Sequence, residues 1–72
     1  MSGLREVKRA ETERRLASTA YDLARSHGLA AVTVDDIVLK AHVSRRTFSN
    51  YFACKEEAIA AVLVHAAEDG LA

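Results

Sequence analysis

The stretch Ser44-Arg45-Arg46-Thr47 sets two hydroxyls and two guanidinium groups side by side, with Asn50, Tyr51 and Lys55 following closely. Residues 40–55 carry Lys40, Arg45, Arg46 and Lys55 and no carboxylate at all. The start of a solvated helix usually favours Asp or Glu, which complement the positive end of the helix dipole. An acid-free start bearing arginines suits an anion instead. Guanidinium groups bond phosphate, and they also fit the O6 and N7 atoms of guanine bidentately. A helix N-terminus adds its own attraction for phosphate. The chemistry indicated is recognition of a polyanion.

Other chemistries find less support. No serine–histidine–acid set and no pair of working carboxylates can be argued from spacing, and the dipole of a helix beginning there explains Asp35-Asp36. His27, His42, His65 and Cys54 lack the spacing of a zinc motif, so no metal and no cofactor is expected. Cys54 falls at or next to a helix cap and reads as a poor cap rather than a redox centre. The chain is not expected to be an enzyme.

The single cysteine excludes an internal disulfide and suits a reducing compartment, so a cytoplasmic location is expected. No apolar run approaches the ~18 residues of a membrane span, so no membrane partner is expected. The first six residues lack the apolar core of a secretory leader. Seventy-two residues, 50% hydrophobic and 28% charged, bound the chain to one small domain, 1–72, whose stability must come from helix packing.

The formal net charge is zero, which taken alone argues against a nucleic acid. The distribution argues the other way. The four cations of residues 40–55 are followed by four acids and no Lys or Arg in residues 56–72. Local field, not the total, steers a charged ligand.

Four helices must position these groups. From about 8 to 27, Leu16, Ala20, Leu23 and Ala24 fall on one helical face, and Gly28 supplies the stop. Thr33 caps a second helix over 34–41, with Asp35 and Asp36 in its first turn and Ile37 and Ala41 inward. Thr-Val-Asp-Asp is a capping box whose acid is one methylene short. Ser44 caps a third helix over 45–51, with Phe48 and Phe52 on one face. A fourth, over 55–70, carries the stripe Ile59, Val62, Leu63 and Ala66, expected to pack on the first helix. No stretch alternates with period two for long. The expected fold is all-α.

Two short capped helices joined by a tight turn make a helix-turn-helix unit, whose second helix presents its N-terminal side chains to the major groove. Thr33 to Val62 resembles the DNA-binding domain of the tetracycline-repressor (TetR) family of bacterial transcription regulators. Gly28, Thr33, Ile37, Ala41, Val43, Ser44, Thr47, Phe48, Tyr51, Phe52, Lys55 and Glu56 carry the resemblance, which spans roughly residues 12–64. It implies a homeodomain-like three-helix domain plus the start of a fourth helix. It also implies base reading by Arg45 and Arg46, and phosphate contacts from Thr33, Ser44, Thr47, Asn50, Tyr51 and Lys55. Two residues depart from the family pattern. His42 stands where glycine is most frequent in the turn, and Ser49 where an aromatic is common.

The function so implied is sequence-specific binding of double-stranded DNA, with a palindromic operator as target. The protein would act as a repressor, released by a small molecule bound to a C-terminal domain absent from this chain. The isolated domain is expected to be monomeric and the full-length protein a homodimer. One alternative is a helical protein-interaction domain that uses the acidic, alanine-rich Glu56–Ala72. Another is a different helix-turn-helix class with Arg5, Lys8 and Arg9 as a partial basic arm.

Overall fold

The computed structural model describes residues 3–70, with side chains described for residues 8–67. The order is α1 (Gly3–His27), a single 3-10 turn (Leu29–Ala31), α2 (Val34–Ala41), α3 (Arg45–Tyr51) and α4 (Lys55–Gly70). No strand occurs among the described residues, so the all-α class holds.

Helix α1 starts about five residues earlier than the apolar pattern indicates. The exposed residues Lys8, Arg9, Ala10 and Glu11 separate the inward stripe, which begins at Leu16, from this earlier start. Good helix formers extend an existing helix at little cost, because propagation is easier than nucleation. Leu16, Ala17 and Ala20 are fully buried, with Leu23 and Ala24 half-buried behind them. Gly28 then ends α1 at φ 88°, a conformation that glycine adopts without steric cost. Its amide donates to the Ala24 carbonyl at 2.8 Å.

Both short helices begin on side-chain caps. Thr33 Oγ1 accepts from the Asp36 amide and Asp36 Oδ2 accepts from the Thr33 amide, each at 3.1 Å. The shorter aspartate therefore closes the box as a glutamate would. Helix α2 ends in a Schellman closure, with the His42 amide donating to Leu39 and the Val43 amide to Val38 at 3.0 Å. His42 sits at φ 61°, ψ 42°, the left-handed conformation expected from the family's usual glycine there. Ser44 Oγ accepts from the Thr47 amide at 3.1 Å and so starts α3.

The core lies where the three inward faces meet. Ile37, Val38 and Ala41 come from α2 and Phe48 from α3, with Phe52 just beyond it, and Val32 enters from the loop. Phe48 and Phe52 pack as tilted rings with centroids 5.7 Å apart, a favoured aromatic arrangement.

Helix α4 packs chiefly on α1. Its inward face differs from the expected stripe. Ala58 is fully buried, with Ile59, Ala61, Val62 and His65 half-buried, whereas Leu63 is 66% exposed and Ala66 lies outside the contact. Small alanines on both helices let the backbones approach closely, and that selects the Ala58 face. In a segment with alanine at 58, 60, 61, 66 and 67, apolar spacing carries little phase information.

Candidate nucleic-acid interface

With Phe48 and Phe52 buried and Thr47 and Tyr51 half-buried, Arg45, Arg46, Ser49 and Asn50 are left exposed. No carboxylate lies on α3, so the positive end of its dipole is not offset by a residue of its own. The caps fix where this face points. Ser44 not only accepts from the Thr47 amide but donates its hydroxyl proton to Thr47 Oγ1 at 3.0 Å. The Thr47 hydroxyl proton remains free to be donated outward.

Arg46 pairs with no carboxylate among the described residues. Arg45 does: its Nη1 donates to Asp35 Oδ1 at 2.7 Å, joining the first turn of α3 to the first turn of α2. Both side chains are about two-thirds exposed, at 67% and 69%. An ion pair so open to water contributes roughly 0–1 kcal/mol. A bidentate arginine–guanine pair discriminates by about 1–3 kcal/mol. The pair therefore orients Arg45 without locking it away from a base.

Lys55 has an engagement that spacing alone does not reveal. Its Nζ donates to the Leu29 carbonyl at 2.8 Å and to the Val32 carbonyl at 2.7 Å. One lysine thus ties the start of α4 to the turn immediately before Thr33. Two of its three donors are used and one is left. The signal was its charge at a helix N-terminus, which opposes the dipole and calls for a compensating partner. Carbonyl oxygens supply it.

Tyr51 closes α3 with its ring 6.5 Å from that of Phe52. The guanidinium of Arg9 lies over the Tyr51 ring, 5.9 Å from its centroid, which brings a basic residue of α1 to the end of α3. Arg5 lies outside the described side chains, as do Glu68 and Asp69 of the acidic tail. Cys54 is exposed beside the start of α4, where the Ala53 amide donates to Glu57 Oε1 at 3.3 Å. Among the described residues no three His, Cys, Asp or Glu side chains gather as a metal site would require. None of the described helices is long and apolar enough to cross a membrane.

Short capped helices, a tight left-handed turn and an exposed basic second helix define a helix-turn-helix DNA-binding module. The family model for bacterial regulatory proteins of the tetR family matches residues 16–62, and the chain belongs to that family. It is a DNA-binding transcription regulator domain. The chain is also 38% identical over 48 residues to a Mycobacterium tuberculosis (strain ATCC 25618 / H37Rv) protein named as the mycofactocin biosynthesis transcriptional regulator MftR. That alignment covers 67% of this chain and 24% of the relative, so the chain spans about a quarter of the relative's length. No solved structure gives a significant match.

Proposed function

We propose that α3 enters the major groove of an operator, with Arg46 and Arg45 reading bases and the residues around them holding phosphate. The observation that carries this reading is the Ser44-capped α3, which exposes two arginines and no acid. Thr33, Thr47, Asn50 and Tyr51 supply hydroxyl and amide donors, Ser44 acts by holding Thr47 through the proton it donates to Thr47 Oγ1, and Lys55 offers its one remaining N–H. Asp35 releases Arg45 on binding, or shares it, since the guanidinium has donors beyond Nη1.

One domain reads one half-site. A palindromic operator read by a homodimer, and release by a small molecule bound to a C-terminal domain, would make the full-length protein a cytoplasmic repressor. The isolated domain would be monomeric. Its outward apolar side chains on α4 are chiefly Leu63 and Val64, well short of the roughly 1,000 Å² that a stable interface buries. Those two residues also mark where a protein contact of α4 would fall, a role compatible with DNA binding.

The test is a competition assay across a salt series, using duplexes selected from a random pool. Arg46→Ala should lose roughly 1–3 kcal/mol of discrimination at one base pair. Lys55→Ala should weaken all sequences alike and lower the salt slope by about one, with circular dichroism verifying that it remains folded. If neither substitution changes binding, the reading is wrong.

A further inference from the structure

We propose that Arg9 of α1 is an additional DNA-binding residue, a phosphate clamp held against the end of the recognition helix by Tyr51. The proposal rests on the DNA-binding reading above and extends it to a part of the chain outside the family match, which begins at residue 16.

Two arginines of α1 lie over tyrosine rings, and the contrast between them is informative. Arg25 lies 5.7 Å from the centroid of Tyr21, four residues earlier on the same helix. The helical repeat alone brings such a pair together. Arg9 and Tyr51 come from opposite halves of the chain, so their contact at 5.9 Å is a product of the tertiary fold and not of the helical repeat. The Tyr51 ring is itself anchored by Phe52, which is buried against Phe48. The platform under Arg9 is therefore continuous with the core.

A guanidinium over a ring is held through its face, while its N–H donors remain in its own plane. Arg9 is exposed, and no described carboxylate pairs with it. It lies beside a helix, α3, that carries no acid. Lys8, its exposed neighbour, makes no comparable contact. A planar donor group held over the Tyr51 ring suits the non-bridging oxygens of a phosphodiester. The ligand class is the backbone of duplex DNA, read without regard to sequence.

The experiment measures binding of the chain to a 20-base-pair duplex of random sequence by fluorescence anisotropy over a salt series. Arg9→Ala should lower the magnitude of the salt slope by about 0.9, the value for one phosphate contact, and weaken binding several-fold at low salt. Arg25→Ala removes the same charge from the other stack and should leave the slope as in the parent. Arg9→Lys should recover the slope but only part of the affinity, because an ammonium loses the planar fit. An unchanged slope in Arg9→Ala overturns the proposal, as does an equal loss in Arg25→Ala, which would reveal a general charge effect. If the parent chain shows no salt-dependent binding at all, the DNA-binding reading itself fails and Arg9 falls with it.

Discussion

In the α2–α3 unit each helix start is fixed by a side chain, Thr33 in one case and Ser44 in the other, and the turn between them is closed by His42. In the α1–α4 pair the buried positions are largely alanines, Ala17 and Ala20 on one helix and Ala58 on the other, with His65 of α4 3.4 Å from Glu13 of α1. The first region spends polar side chains on defining backbone direction. The second gains its hold from close approach along two long helices. Short helices of seven and eight residues cannot persist on propensity alone, so capping and a few large core side chains must sustain them. Aim is set in one half of the domain, and adhesion is supplied by the other.

The largest test of that division is Phe48→Ala. Removing a fully enclosed aromatic costs about 3–5 kcal/mol. That matches the whole stability a single core of this size usually supplies. The variant should show no cooperative thermal transition by circular dichroism; a sharp melt would mean that α1 and α4 alone hold the domain. Lys55→Met comes next, at about 2 kcal/mol, since it leaves two carbonyls without their charged donor. Its melting temperature should fall even at high salt, where a purely surface charge would count for little.

Ala58→Leu probes the other half. Extra methylenes at a site with no free space should cost roughly 1–3 kcal/mol by forcing α4 away from α1. Chemical shifts in α3 should move less than those in α1, and the reverse result would erase the distinction between the halves. Ser44→Ala should cost about 1 kcal/mol. Its effect on DNA affinity should exceed its effect on melting, because the cap also orients Thr47. The smallest change has the opposite sign. His42→Gly relieves a left-handed backbone and should stabilise the domain by up to about 1 kcal/mol in denaturant titration. A loss instead would mean that the imidazole makes a contact that the turn needs.

What the amino-acid order reveals follows the same division. Caps and stops act over three to five residues, so Thr33, Ser44, Gly28 and the strained position of His42 are legible before any packing is known. The interactions that join elements are not. Asp35 reads as a residue answering the dipole of α2, and only the approach of α3 makes it the partner of Arg45. Lys55 reads as a cation facing outward, and only the placement of the Leu29–Ala31 turn gives it two carbonyls. Arg9 meets Tyr51 for the same reason. On α4, Ile59 and Val62 face inward as their spacing indicates, but Leu63 and Ala66 do not and Ala58 does, because leucine outweighs alanine in any hydrophobic count whereas close helix contact favours the smaller side chain.

The docking of α4 on α1 has a kinetic side. The α1 and α4 faces meet only after most of the chain has been drawn into a loop, and the entropy of closing a loop rises with its length. The contacts between α2 and α3 span far shorter segments. The expected order of assembly is therefore capped turn first and α4 last, within the fast regime of small helical domains. Hydrogen exchange tests this order: if α4 docks last, amide protons near Ala58 should exchange ahead of those in α2.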